Sequence, residues 1–227
     1  RSRTRSFRIR SIWRFGTLWL APRLGRLYEQ YPNLQIDLIL NERVLDLPMR
    51  EADLAIRMKE PSQADLIRRR LMDVQMRFFA SRDYAQRWGV PTNEEELLNH
   101  RIIGFSPDAA QVTAGAEWLQ PYFARHPYSR LTVNNYFGIL QSVLNGLGIG
   151  ALPDYLAIDN PDLVPVLTEA RSRPVPVYLA YPAELRQSKR VEAFRDFMLA
   201  EIAEYRRARR SALEAMEAME LAPLPSA

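Results

Sequence analysis

Three glycines fall within five positions at Gly146-Leu147-Gly148-Ile149-Gly150, inside the run NGLGIGALPDY from Asn145 to Tyr155. Glycines clustered in this way can form a loop whose backbone N–H groups cradle a phosphate, provided that a strand precedes them and a helix follows. Here the order is reversed. The apolar positions Phe137, Leu140, Leu144 and Leu147 predict a helix from Asn135 into the glycines, and Ile149 to Leu152 predicts a strand after them. The cluster therefore stands at a helix carboxyl end, whose carbonyls repel anions. Its expected role is geometric: Gly146 or Gly148 supplies a left-handed C-cap, and Gly150 is a strand position that another backbone or a ligand approaches closely.

Other chemistry is sparse. With no cysteine, a disulfide framework, a thiolate zinc site and a cysteine nucleophile are excluded. His100 and His126 are the only histidines and lack ligand spacing, so no metal site is expected; His100 is expected to end the helix that holds Leu97-Leu98. No Ser, His, Asp arrangement is legible, and neither catalysis nor a cofactor is expected. Arg1, Arg3, Arg5, Arg8, Arg10 and Arg14 all precede the first acidic residue, Glu29, in a chain of net charge +4. Such a start suits either contact with nucleic acid or a solvated linker running into an edge strand. No apolar run approaches the roughly 20 residues that span a bilayer, and the amino end lacks the apolar core of a signal peptide. A soluble, cytoplasmic protein without a membrane partner is expected.

These residues must be held by a sizeable fold, since 227 residues with 47% hydrophobic content can bury a substantial core. Phe7-Arg8-Ile9-Arg10 alternates with period two, as a half-buried strand does. A helix is predicted next, with Thr17 as N-cap and Leu20, Leu24, Leu27, Tyr28 and Tyr31 at helical spacing up to Pro32. Pro22 inside it requires a late start or a bend. Strands are predicted at Gln35–Leu40, Asp53–Arg57 and Arg77–Ala80, with short helices around Leu45–Arg50 and Tyr84–Trp88. Thr92 and Glu95 have capping-box spacing. A second series follows: strand Arg101–Phe105, helix Trp118–Phe123, strand Leu131–Asn134, the helix before the glycines, and strands to Leu152 and at Val175–Ala180. Ser188 then caps a helix with Val191, Phe194, Phe197, Met198 and Ile202 on one face, which Ala212–Leu221 could extend. Strands alternating with helices predict an α/β protein of two small Rossmann-like lobes.

Read in register, several pieces of the chain resemble the effector-binding domain of LysR-type transcriptional regulators, without the winged helix-turn-helix. They are Phe15-Gly16-Thr17-Leu18-Trp19-Leu20-Ala21-Pro22, Tyr31-Pro32, Asp53-Leu54-Ala55-Ile56-Arg57, Phe79-Ala80-Ser81 with Tyr84, His100-Arg101-Ile102-Ile103-Gly104-Phe105, and Gly146 to Pro153. The resemblance implies a periplasmic-binding-protein-like fold of type 2, with a two-strand hinge near Phe78–Ser81 and Val177–Ala180. Residues 1–6 would end a linker, 7–80 with 181–205 form one lobe, 81–180 the other, and 206–227 a helical extension and tail. A small effector would bind between the lobes. By motif position its contacts are Arg14, Phe15, Gly16 and Thr17, then Glu42, then Arg57 and Met58, with Phe105, Ser106, Asn135 and Tyr136 from the other lobe. If Thr17 stands at a helix amino end, its hydroxyl and nearby amides form a seat for a carboxylate.

The implied function is an effector-sensing and oligomerising domain that modulates DNA binding and transcription. Its implied partners are a second copy, a tetramer in the longer protein, operator DNA through the missing domain, and RNA polymerase as a further candidate. The alternative is an extracytoplasmic solute-binding protein of a transporter. A third reading, an enzyme on the same scaffold such as a tetrapyrrole-pathway deaminase, lacks the cysteine that would attach its cofactor.

Overall fold

The computed structural model describes residues 6–41, 52–106, 114–125, 130–158 and 160–220. Glu42 and the helix predicted at Leu45–Arg50 lie outside them. The chain divides into two compact units, one made of the residues up to Val74 with Pro174–Ala203, the other of Gln75–Arg173 with the residues from Glu204.

In the first unit, β1 (Phe7–Ile12) lies between β2 (Ile36–Asn41) and β3 (Leu54–Arg57) and is parallel to both. With β4 (Leu66–Val74) and β10 (Val175–Pro182) they form a sheet of order β2-β1-β3-β10-β4, in which β10 is antiparallel to its two neighbours. Phe7 and Ile9 are buried and Arg8 is exposed, as the period-two pattern requires. β4 was not expected, because three consecutive arginines, Arg68-Arg69-Arg70, hide its alternation. It is an edge strand, and charge on an edge blocks pairing with another chain.

Helix begins immediately after β1, four residues ahead of the expected N-cap. α1 (Trp13–Phe15) passes into a π-helical stretch Gly16–Leu20, a 3-10 turn Ala21–Arg23 and α2 (Leu24–Gln30). Pro22 explains the changes of winding. It has no N–H to donate and its ring crowds the carbonyl four residues back, so the chain widens before it and tightens around it instead of breaking. Ile12, not Thr17, is the N-cap, with no side-chain bond of its own.

Over this unit lies the first part of α7 (Lys189–Glu220), whose residues to Ala203 belong to it. Val191, Phe194, Phe197, Met198 and Ile202 are buried along one face, and the Phe194 ring meets Phe7 edge-on at 5.9 Å. Each such side chain contributes about 1.5–3 kcal/mol when removed from water. Glu201, 4% exposed, holds Arg26 at 3.2 Å and Arg23 at 3.6 Å, tying α7 to the helices after β1.

The second unit repeats the arrangement. β5 (Met76–Ser81), β6 (Ile102–Phe105), β7 (Arg130–Val133), β8 (Ile149–Pro153) and β9 (Leu163–Arg171) form a sheet of order β7-β6-β8-β5-β9. β6 is parallel to β7 and β8, whereas β5 is antiparallel to β8 and β9. β9 is the second strand that was not expected. Pro165 interrupts it, and Leu167 has φ 51°, which an edge strand tolerates and a central one does not. All of β5 pairs within this sheet, and β10 pairs within the other. The change of unit falls at Val74/Gln75 and Arg173/Pro174.

The helices here are α3 (Arg82–Trp88), α4 (Ala114–Arg125), α5 (Tyr136–Leu144) and α6 (Tyr155–Ile158). Trp118 and Tyr122, one turn apart on α4, pack on Phe78 with ring centroids at 4.9 and 5.1 Å. Tyr122 donates to Glu94 at 2.8 Å, and burial together with that bond pushes its phenol up to about 12. The capping pair expected at Thr92 and Glu95 is shifted by one residue. Asn93 accepts from the N–H groups of Glu95 and Glu96, while the Glu96 carboxylate reaches back to the Thr92 N–H at 2.8 Å. Ser81 caps α3 by accepting from the Tyr84 N–H at 3.1 Å. Ser81→Ala is expected to cost about 1 kcal/mol, measured as a lower denaturant midpoint at unchanged slope.

The glycine cluster is resolved in this unit. Gly146 has φ 69°, its N–H donates to Val143, and the Leu147 N–H donates to Ser142. Those two bonds define a Schellman C-cap. A Cβ on Gly148 would sit 2.5 Å from the Arg101 carbonyl oxygen, and one on Gly150 would sit 2.6 Å from Val143 Cγ2. Two different close approaches, to a neighbouring strand and to the preceding helix, thus explain the remaining glycines.

Beyond β8, Asp154 is 7% exposed. It accepts from Arg209 Nη2 at 2.5 Å and from the Gln75 N–H at 3.3 Å. Burial raises its carboxyl above the usual range, with Arg209 and the Gln75 N–H opposing. Burial likewise lowers Arg77, against the pull of Asp154.

Candidate functional site

The first unit has a topological switch at the carboxyl end of β1, since the chain leaves β1 to form β2 on one side and then crosses to form β3 on the other. Ligands of open α/β sheets bind at such points. Arg14, Phe15, Gly16 and Thr17 all lie there, in the helical turns that leave β1, and Arg57 ends β3 next to it, followed by Met58. Arg14 is 9% exposed and its Nη2 contacts Met58 Sδ at 3.0 Å, a weak acceptor. Phe15 is fully buried and stacks on Trp19 at 4.8 Å. Gly16 is tightly packed, because a Cβ would sit 3.1 Å from Ser11 Cβ and would require the end of the Leu40 side chain to shift.

Thr17 is the informative member. Its Oγ1 is buried and has no hydrogen-bond partner among the described residues. A buried hydroxyl without a partner costs about 1–3 kcal/mol, so natural folds rarely leave one unless something else satisfies it. Ser11 adds a polar group that sequence reading missed. It is 4% exposed, and its hydroxyl donates to the Ile12 carbonyl at 3.2 Å. The available signal was a polar residue at a position that the Phe7, Ile9 alternation assigns to the inner face.

The second unit has the equivalent switch at the carboxyl end of β6, between β7 and β8. Phe105 and Ser106 stand there, with the Phe105 ring edge-on to Tyr136 at 4.7 Å and the Ser106 N–H bonded to Val133. Asn135 is committed to its own helix, because its Oδ1 accepts from the Gly138 N–H at 2.8 Å and its amide donates to Asn134. Tyr136 is 5% exposed and its hydroxyl contacts Met76 Sδ, so it belongs largely to the core. Nothing in either group forms a nucleophile–base pair. No cluster of three or more metal-ligating side chains occurs among the described residues.

The LysR substrate binding domain family matches residues 1–203 of this chain. The chain belongs to the LysR-type transcriptional regulators. The HTH-type transcriptional regulator CrgA of Neisseria meningitidis serogroup C (strain 8013) is 30% identical over 194 residues, covering 81% of this chain and 62% of CrgA. An uncharacterized HTH-type transcriptional regulator of Haemophilus influenzae is 26% identical over 171 residues, covering 74% of this chain and 59% of its own. The chain thus spans about three-fifths of the length of the curated relatives it matches.

The solved regulatory domain of CrgA from Neisseria meningitidis matches with a TM-score of 0.69 at 26% identity, over 87% of this chain and 98% of that one. The regulatory domain of AphB in Vibrio vulnificus matches with a TM-score of 0.67 over 86% and 98%, and at 23% identity it speaks for the fold alone. The chain is therefore the effector-binding domain of a LysR-type regulator, with an α/β, periplasmic-binding-protein-like fold of two lobes. The family is not one of enzymes, and the solute-binding alternative finds no support among these relatives. No helix among the described residues is long and apolar enough to cross a membrane.

Proposed function

We propose that this LysR-type domain senses a small organic anion, with the turn after β1 as its primary seat. The observation that carries the reading is the buried Thr17 hydroxyl, without a partner among the described residues, one turn along the helix from the buried Arg14, at the β1 switch point. A carboxylate there would accept from the hydroxyl and gain charge from the guanidinium. Arg57 and Met58, in the same unit, shape the remainder of the seat. The domain works in the cytoplasm as a homodimer, and as a tetramer in the longer protein. Effector binding shifts an equilibrium between two arrangements and so alters how a segment outside these 227 residues meets operator DNA and RNA polymerase. Such a shift needs different affinities for the two arrangements.

A thermal-shift screen of small organic acids and aromatics tests this, because a ligand that binds only the folded state raises stability. With an acid found, calorimetry on Thr17→Val is expected to show affinity lower by roughly tenfold, as loss of one hydrogen bond to a charged group implies. Unchanged affinity in Thr17→Val would remove the seat from the turn after β1.

A further inference from the structure

A separate cavity of about 570 Å³ lies in the first unit where β4, β10, α7 and the turn before α7 meet. Its floor is apolar. Leu179 is fully buried, Tyr181 is 4% exposed, and Leu199 of α7 joins them. Four arginines line it, Arg68, Arg69, Arg186 and Arg195, against a single carboxylate, Asp196. They come from places more than a hundred residues apart in the chain, which only the fold unites. In the antiparallel register Arg69 faces Leu179 and Ile67 faces Tyr181, so Arg69 shares the face that α7 covers.

Two of the four charges are already answered. Arg68 pairs with Glu60 at 3.2 Å and donates to the Pro61 carbonyl. Arg195 pairs with Asp196 at 2.8 Å, and that bond, with a further one to Tyr181, outweighs burial and raises its pKa. Asp196, the one group that would repel an anion, is thereby engaged. Arg69 and Arg186 are exposed and make no ion pair among the described residues. Like charges gathered over a non-polar floor repel one another and focus a positive potential into the hollow. The cavity is of the size that holds small ligands.

We propose that this pocket binds a small molecule bearing a phosphate group, its oxygens held by Arg69 and Arg186 and its non-polar part resting on Leu199. Guanidinium forks on different elements suit a tetrahedral anion that accepts from several directions at once. The site is independent of the seat proposed at β1.

Isothermal titration of the 227-residue chain with phenyl phosphate, at about 150 mM salt so that exposed charges are screened, is the test. Binding is expected, and the Arg69→Gln/Arg186→Gln variant is expected to lose roughly tenfold or more in affinity. Arg70→Gln, whose arginine forks Asp73 outside the pocket, is expected to bind as the parent does. Equal losses in both variants would reduce the effect to general charge and overturn the site. No binding of phenyl phosphate, or binding that the double variant leaves intact, would do the same. Tighter binding of citrate than of phenyl phosphate, with the same arginine dependence, would overturn the phosphate assignment. Duplex DNA bound through these arginines while phenyl phosphate is not would make the face a nucleic-acid contact instead.

Discussion

Gly148→Ala is expected to destabilise the second unit by about 3 kcal/mol, at the upper end of what overpacking costs. The new methyl would lie 2.5 Å from the Arg101 carbonyl oxygen and 3.0 Å from the Arg101 carbonyl carbon, and both are main chain. A flexible side chain could swing aside, but that carbonyl accepts the Ile149 N–H at 2.8 Å and starts the pairing of β6 with β8. Relief of the clash therefore requires the ladder to open, which strands a buried backbone pair. Hydrogen exchange should localise the loss of protection to Ile102–Phe105 and Ile149–Pro153. Gly25→Ala is the internal comparison. Nothing lies within 4 Å of a Cβ there, and the residue is helical, so it should be neutral or stabilise by about 0.5–1 kcal/mol. A Gly148→Ala protein as stable as Gly25→Ala would show that the close approach is not real.

Arg209→Met is expected to cost a similar amount at pH 7, about 3 kcal/mol, because it leaves the Asp154 carboxylate buried without its closest cation. The pH dependence distinguishes this from lost packing. Burial already raises Asp154 above the usual carboxylate range, and removing Arg209 raises it further. A carboxyl whose folded pKa is raised binds its proton more tightly in the folded state than in the unfolded one. Its contribution to stability is therefore full at low pH and falls as pH rises through the folded value. The deficit of Arg209→Met relative to the parent should shrink as pH is lowered and Asp154 protonates. Adding Asp154→Leu should recover most of the loss, since replacing both members of a buried pair by apolar groups is often near neutral. Denaturant unfolding of the second unit at pH 7 and in mild acid measures all three. A deficit that does not change with pH would exclude the ionic account.

How far the sequence carried this reading depends on the range of the interactions involved. Gly146 was legible because its cause is local: a helix approaches it, a strand leaves it, and the C-cap bonds span six residues. The buried face of α7 was legible for the same reason, since Val191, Phe194, Phe197, Met198 and Ile202 repeat with the helix itself. The beginning of the first helix was not. Thr17 has the right residue type for an N-cap, but helical bonding started at Trp13 as soon as β1 ended, and Pro22 was absorbed by a change of winding. β4 and β9 escaped because edge strands have a neighbour on one side only, which relaxes the alternation and the exclusion of proline that mark a central strand.

By itself the sequence determined the class of the molecule. Helix and strand periods alternate twice along the chain, the glycines follow a helix instead of preceding one, and motifs in register lead to the LysR-type family and away from nucleotide enzymes. Those are properties of neighbours along the chain. Only the tertiary structure decided that the Thr17 hydroxyl is buried without a partner among the described residues, that Gly148 presses on the carbonyl of Arg101, and that Arg69, Arg186 and Arg195 surround one hollow. The physical reason is common to the three: burial, close approach and charge clustering are set by residues that sheet order brings together from distant parts of the chain.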